Sequence, residues 1–478
     1  MAAIKEVSKS VGRVYTPRYI VENILDMVGY VQNKIDLKHV MDNSCGDGAF
    51  LSVVVERYCE QSIKQQKNKA TLKRELELYI HGIDMDEDEC IKCQNNLSSI
   101  AMRYGVFSVD WNIVCADSLE IQNFSQKMDF VVGNPPYIRV HNLDSSYEKV
   151  KSLSFNKDGM TDLYISFYEI GLNMLNDTGT LGYITPSSFF TSIAGLYMRK
   201  YFVDNKLIKS VVDLGHFQAF KSTTYTAIVI LNKSHCSDKI DYYKFDEKNL
   251  IPYFVETLRM NDYFIDSKFC FSDKAGLDSL KRIMSNGKNT CIEVKNGYAT
   301  LCDKVFVNDF DFESNYVIPV IKASKGEVKK IIFPYDVYGN LVSENCISED
   351  KNVYDYLLRN RDLLQKRSSD NENNGWYSFG RSQAIRDTYK DKISINTMIR
   401  DYRDLKIVDA PAGVGVYSGL YILPHDISTK NIKSALLSEE FSNFVKLLGK
   451  YKNGGYYTFS SKDVKLYLDY KMCQENKI

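Results

Sequence analysis

The run Phe130-Val131-Val132-Gly133 has the apolarity of a buried strand, and it stops on Asn134-Pro135-Pro136-Tyr137. Two consecutive prolines fix φ and remove two backbone donors, so no strand continues through them. The chain must leave a sheet here on a rigid segment with an amide before it and an aromatic ring after it. An ordinary strand end also turns on such a segment, since Pro-Pro commonly marks turns. The same four residues suit chemistry on an exocyclic amine. The Asn134 side-chain oxygen and the Pro135 carbonyl can each accept one N–H of a planar NH₂ group, while Pro135 and Pro136 hold both acceptors in place. Tyr137 offers a flat face to the ring that bears the amine. Two acceptors on one amine draw its lone pair out of conjugation and aim it at an electrophile.

Around this segment, short apolar runs alternate with amphipathic stretches from about residue 15 to 230, the pattern of an α/β domain with a mainly parallel sheet. The expected strands are His39–Asp42, Leu78–Ile83, Trp111–Cys115, Met128–Gly133, Thr180–Thr185, Ile208–Asp213 and Thr226–Leu231, seven in all. The hydrophilic segment Gln61–Glu77 reads as a solvated helix extension. The polar stretch Asn232–Asn249 reads as a linker, which predicts a first domain over residues 1–235 and a second over 250–478. The second half is rich in Tyr, Asn, Ser and Lys, with short strand-like runs (Val317–Ile321, Ile331–Phe333, Gly415–Leu423) and a few helices (Val353–Gln365, Ile432–Gly449). It reads as a mixed α+β domain.

Four successive strands end on residues of ligand-binding type. After the first come Asp42-Asn43-Ser44-Cys45-Gly46-Asp47-Gly48, whose glycines let the backbone turn tightly and approach a ligand. The second ends on Asp84-Met85, an acid placed to grip a ribose diol. The third ends on Asp117-Ser118, and the fourth on Asn134–Tyr137. Each has an ordinary explanation alone, a turn glycine or a helix-capping Asp. Together they mark the carboxyl edge of an open α/β sheet, where such sheets bind ligands.

Composition narrows the partners. Lysines plus arginines equal aspartates plus glutamates at 61 each, so a nucleic-acid surface has to be a local basic patch. The 11 cysteines fall at irregular spacings and suggest a reducing compartment, hence the cytoplasm. Cys90-x-x-Cys93 lacks a second pair at metal spacing, so no metal site is expected. No apolar stretch in the sequence has the length of a membrane span.

These motifs resemble those of the N6-adenine DNA methyltransferases of restriction–modification systems, in the gamma or TaqI-like class where the catalytic domain precedes a target-recognition domain. Gly12-Arg13-Val14-Tyr15-Thr16-Pro17 is similar to the family's N-terminal element. The resemblance implies a Rossmann-like domain with a mostly parallel seven-stranded sheet, followed by a mixed α+β target-recognition domain. It implies S-adenosylmethionine as cofactor, held by Tyr15, Thr16, Asp42, Cys45, Gly46, Gly48, Asp84, Met85, Asp117, Ser118 and Asn134. It implies catalysis by Asn134, Pro135, Pro136 and Tyr137 on an adenine rotated out of duplex DNA. Tyr137 and Phe220, the latter in Ala219-Phe220-Lys221-Ser222-Thr223-Thr224, would sandwich that base. The likeness also takes in Asp162-Leu163-Tyr164 with Phe167, and Gly179–Pro186. Asp47 between the glycines departs slightly from the family loop.

In the second half, Trp376, Arg381 and Gln383 combine aromatic and base-reading side chains, and Lys322 suits a phosphate. Their plain reading is solvated surface charge, with Trp376 in a core. A single recognition domain fits a monomer that modifies one strand per visit, no membrane partner is expected, and any cognate endonuclease is expected on a separate chain. The Asn-Pro-Pro-Tyr segment also occurs in enzymes acting on a protein glutamine or on ribosomal RNA. An orphan regulatory adenine methyltransferase is a further alternative.

Overall fold

The computed structural model describes residues 15–139, 147–159, 162–220, 224–285, 290–367 and 375–475. It divides into two compact units, one reaching Asp278 and the other starting at Ser279.

The first unit is built on one sheet of nine strands: β1 (Val40–Asp42), β2 (Ile80–Asp84), β3 (Asn112–Cys115), β4 (Met128–Gly133), β5 (Leu175–Pro186), β6 (Ile208–Asp213), β7 (Thr226–Asn232), β8 (Lys239–Asp246) and β9 (Ile251–Arg259). Their order is β3-β2-β1-β4-β5-β7-β6-β8-β9. The first five are mutually parallel, and β7 runs antiparallel between β5 and β6. Alternate residues of these strands feed two cores on opposite faces. Val40, Phe130, Val132, Ile228 and Ile230 join one, while Met41, Val131, Ala227, Val229 and Leu231 join the other. A sheet covered on both faces reads as continuous apolar runs, which is why the sequence shows its strands so plainly.

Helices α1 (Arg18–Val28), α2 (Ala49–Lys64), α3 (Lys69–Tyr79), α4 (Glu87–Arg103), α5 (Leu163–Met174) and α6 (Leu196–Asp204) clothe the sheet. In α1 the buried residues are Ile20, Val21, Ile24, Leu25 and Val28, one face at helical spacing. It ends on Gly29 at φ 91°, whose amide hydrogen bonds the Asp26 carbonyl. The helix lies so close to β5 that a side chain on Gly182 would meet Val28 at 2.4 Å.

Three expectations about the first unit need correction. The sheet has nine strands rather than seven, since β8 adds in parallel to β6 and β9 pairs antiparallel with β8. The stretch taken for a linker therefore contains a strand, and the first unit extends well past residue 235. The strand escapes notice because it opens on Lys239 and its buried residues (Ile240, Tyr242, Phe245) are interrupted by Asp241 and Lys244. The hydrophilic segment between β1 and β2 is also no mere extension. Helix α2 stops at Lys64, and the Asn68 side chain accepts from the Thr71 amide to start α3.

The second unit is mixed α+β. Glu293–Asn296, Leu420–Leu423, Lys392–Ile395 and Ile407–Ala410 form an antiparallel sheet in that order. Val317–Lys322 lies between antiparallel Glu327–Ile332 and parallel Gly415–Tyr417. The expected helix 432–449 is two, Thr429–Leu436 and Glu439–Leu447, because the Ser438 hydroxyl caps the second by accepting from the Phe441 amide. The expected 353–365 helix likewise breaks at Asn360.

Candidate active site

All four strand ends singled out in the sequence lie at the carboxyl edge of β1–β4, on adjacent strands. The loop after β1 is anchored from both sides. The Cys45 amide donates to the Ile83 carbonyl at 3.0 Å, and the Gly46 amide to Asp84 Oδ2 at 2.9 Å. Asp84 Oδ1 accepts from the Asp86 amide at 3.0 Å, and burial raises the Asp84 pKa. Gly46 sits at φ +50° with no atom within 4 Å of where a Cβ would stand, so its backbone faces open space. Gly48, at φ +88°, precedes α2, and a side chain there would meet Cys93 Sγ at 2.8 Å. The Cys90-x-x-Cys93 pair thus serves packing, with Cys93 in contact with the Cys45 thiol.

Not every expected ligand points outward. Asp42 is 1% exposed, accepts from the Ser44 amide at 3.0 Å, and is pushed up to about 8 by burial. It braces the loop from behind. Cys45 is buried, and Ser118 donates its hydroxyl to the Asn43 carbonyl at 2.6 Å, tying the end of β3 to the same loop. Tyr183, which sequence reasoning missed, donates from its hydroxyl to Asn43 Oδ1 at 2.8 Å. Met85 is 77% exposed directly after Asp84, and Asp117 accepts from the Leu119 amide at 3.0 Å.

The segment Asn134–Tyr137 continues this edge. Asn134 Nδ2 donates to Thr16 Oγ1 at 3.1 Å, a contact across 118 residues that joins the N-terminal element to the amide. The bond takes up a donor of the amide and turns its acceptor oxygen away from Thr16. Tyr15 is exposed, while Gly12–Val14 lie outside the described residues. Pro135 is buried, and a side chain on the preceding Gly133 would meet Asp42 Oδ1 at 2.8 Å. The Tyr137 hydroxyl donates to the Ile184 carbonyl at 3.1 Å, and burial raises its pKa strongly. Its ring meets Phe220 edge to face, with centroids 6.3 Å apart at 73°. A base held between two rings needs them parallel and about 7 Å apart. In this structure the pair is therefore closed on itself, and residues 221–223 beyond Phe220 lie outside the described residues.

In the second unit two of the four candidate DNA contacts are bonded within the protein. Trp376 is half-buried, donates from its indole to Glu344 Oε1 at 3.1 Å and is covered by the Arg361 guanidinium at 5.0 Å. Gln383 is spent on the Gly297 carbonyl at 2.5 Å. Arg381 is exposed, and Lys322 lies opposite Glu327 at the end of a hairpin. Among the described residues no helix is long and apolar enough to cross a membrane, and no cluster of three or more His, Cys, Asp or Glu could hold a metal.

A Rossmann-like sheet with this loop and this amide at its rim defines a methyltransferase. Residues 44–220 match the Eco57I restriction-modification methylase family. It is 26% identical to the type II methyltransferase M.BstVI of Geobacillus stearothermophilus, over 75% of this chain and 73% of that protein. It is 23% identical to the type II restriction enzyme and methyltransferase RM.Eco57I of Escherichia coli, over 94% of this chain and 56% of that protein. Among solved structures it resembles the type IIL restriction-modification enzyme MmeI in complex with DNA (TM-score 0.63, 14% identity, 93% of this chain and 63% of that one), a likeness of fold. The chain thus spans little more than half of RM.Eco57I and under two thirds of MmeI.

The methyl donor of this family is S-adenosylmethionine, and the loop fits it. Gly46 presents open backbone, and Met85 leaves an apolar side chain exposed beside a strand-end acid. Asn43 Nδ2 and Ser44 Oγ are buried without a hydrogen-bond partner among the described residues.

Proposed function

We propose that this protein methylates N6 of an adenine rotated out of duplex DNA, as the modification enzyme of a restriction–modification system. The observation that carries the reading is the Asn134 amide, fixed at the carboxyl edge of β4 by Thr16 beside the glycine loop. S-adenosylmethionine supplies an electrophilic methyl group on a positively charged sulfur. The protein's own residues prepare the nucleophile. Asn134 Oδ1 and the Pro135 carbonyl accept the two N–H groups of the adenine amine, which concentrates its lone pair on nitrogen and orients it. Tyr137, held by the Ile184 carbonyl, offers a ring face to the base, and Phe220 closes over the other face once it swings off Tyr137. No general base is required before transfer, because the methylated amine is a strong acid and sheds its proton afterwards. Catalysis is positioning and lone-pair orientation.

The second unit is the target reader in this proposal, and one reader per chain suits a monomer modifying one strand per visit. Action on the cell's own DNA places the protein in the cytoplasm, with any cognate endonuclease on another chain.

The test is nucleoside analysis of DNA from cells expressing the protein. The expected product is N6-methyladenine; N4-methylcytosine, or label in protein or RNA alone, overturns the assignment. Asn134→Ala should lower turnover by about 10²–10³-fold or more, the scale of losing one oriented polar group at a reacting centre, with donor binding retained. Near-normal methylation by Asn134→Ala removes that residue from catalysis.

A further inference from the structure

We infer that the turn Asp336–Asn340 of the second unit is a DNA-probing tip, on which Tyr338 stacks against a base step of the target duplex while Arg386 at its foot binds the adjoining phosphate. The inference rests on the reading of the protein as a DNA methyltransferase and names a place where the reader meets its substrate.

Two adjacent apolar residues occupy the tip, Val337 at 58% and Tyr338 at 77% exposure. Scattered exposed apolar residues need no explanation, but these are held out by a rigid frame. The Asp336 carboxylate accepts from the Tyr338 amide at 2.9 Å, from the Asn340 amide at 2.8 Å and from Asn340 Nδ2 at 3.0 Å. The Asp336 amide donates to the Asn340 carbonyl at 2.9 Å, and Gly339 donates back to the Asp336 carbonyl at 3.0 Å. Below the turn, Tyr335 and Leu341 pair as an isolated antiparallel bridge. Tyr335 is itself buried, its hydroxyl accepting from the Phe379 amide at 2.6 Å. This much order spent on displaying an aromatic ring to solvent does nothing for the core.

The foot of the turn is cationic. Gly339, at φ +84°, seats directly on Arg386, where a Cβ would meet Arg386 Cγ at 2.8 Å. Arg386 is exposed, and its side chain makes no hydrogen bond or ion pair among the described residues. It stands on a short 3-10 turn, Ile385–Asp387, pinned from beneath. The Asp387 carboxylate accepts from Lys295 and Tyr421, and the Lys392 ammonium donates to the carbonyls of Asp387, Thr388 and Lys390 at 2.9–3.0 Å. Arg386 and Lys390 also line an open cleft of about 540 Å³ with Asn296, Ser382 and Gln383. A flat ring on a rigid tip, with an uncommitted guanidinium at its base and an amide-lined cleft beside it, matches a nucleic acid: π-faces to stack on and a polyanionic backbone. The zero net charge of the chain requires any such surface to be local, as this one is.

The test uses the full chain, unmethylated plasmid DNA and methyl-labelled donor, with duplex binding followed by anisotropy against salt. Tyr338→Ala should lower kcat/KM for DNA about tenfold, the scale of one lost aromatic–base stack, with the donor KM and the melting temperature unchanged. Tyr338→Phe should retain activity. Arg386→Gln should weaken binding and reduce the slope of log K against log salt by about one. If the wild type labels plasmid and Tyr338→Ala binds and labels it equally well, or Tyr338→Phe fails as badly as Tyr338→Ala, the probing tip is wrong while the methylase reading stands. An unchanged salt slope in Arg386→Gln removes the phosphate contact. If the wild type labels no DNA at all, both readings fall together.

Discussion

Gly133 has no room for a side chain, and the reason lies one strand away. A methyl group there would stand 2.8 Å from Asp42 Oδ1 and 3.6 Å from the Tyr183 ring. Asp42 cannot yield easily, because it is buried and accepts from the Ser44 amide. Gly133→Ala should therefore displace both the glycine loop and the Asn134 amide that follows. The expected result is a loss of about 1–3 kcal/mol of stability, the usual cost of overpacking a close contact, with turnover down at least tenfold. Thermal melts and single-turnover label transfer check it together, and a variant as stable and active as wild type removes Gly133 as the spacer. The residues beside this one show what sequence reveals at this scale. Asn134–Tyr137 announce themselves, because few segments join an amide, two prolines and an aromatic ring. Gly133 and Tyr183 carry no such signal. Their importance comes from neighbours 91 and 140 residues away in the chain, Asp42 and Asn43 respectively, and a single sequence does not print tertiary approach.

At the scale of elements, the amino ends of the first three strands are joined by a chain of side chains. His81 Nδ1 lies 2.9 Å from Asn112 Nδ2, and His81 Nε2 lies 2.9 Å from His39 Nδ1. An amide nitrogen only donates, so His81 Nδ1 accepts and its Nε2–H donates to His39. The ring is therefore neutral, and burial holds its pKa down at about 4. A histidine whose folded pKa is lowered contributes stability that is fully present above its unfolded value near 6.5. That stability drains away as pH falls from 6.5 toward 4, by up to about 3 kcal/mol. In urea unfolding at pH 7.5 and pH 5, wild type should lose more stability than His81→Gln, which lacks this titration. Equal losses would show that the ring does not carry the effect. The strands joined here were legible because each is a buried apolar run. The break between α2 and α3 was not, since it turns on Asn68, one polar residue in a polar stretch. The split of the expected 432–449 helix turns likewise on the hydroxyl of Ser438. Hydrophobic periodicity reports faces, and caps are decided by single hydrogen bonds.

The whole molecule consists of two units with separate cores, and the place where the first one ends decides what can stand alone. Sequence texture put that end near residue 235, where apolar runs give way to polar ones. The structure carries the sheet onward, since β8 pairs with β6 from Ser210–Asp241 to Asp213–Lys244, and β9 pairs with β8 along its full length. Ile240, Tyr242, Phe245 and Leu258 are buried by that hairpin. Burial of such side chains stabilises by roughly 1.5–3 kcal/mol each, so the four together approach the 5–15 kcal/mol that holds a typical domain folded. A chain stopped at His235 would also leave β6, which is almost wholly buried, as a bare apolar edge strand open to pairing with other chains. We therefore expect a protein ending at Asp278 to unfold in one cooperative urea transition and to bind S-adenosylmethionine in calorimetry, but not to select a DNA sequence. A protein ending at His235 should aggregate during gel filtration and give no sharp transition. If the shorter protein unfolds cooperatively at the same midpoint as the longer one, β8 and β9 are decoration on a seven-stranded core. If it fails as expected, those two strands are part of what makes the catalytic edge of β1–β4 fold.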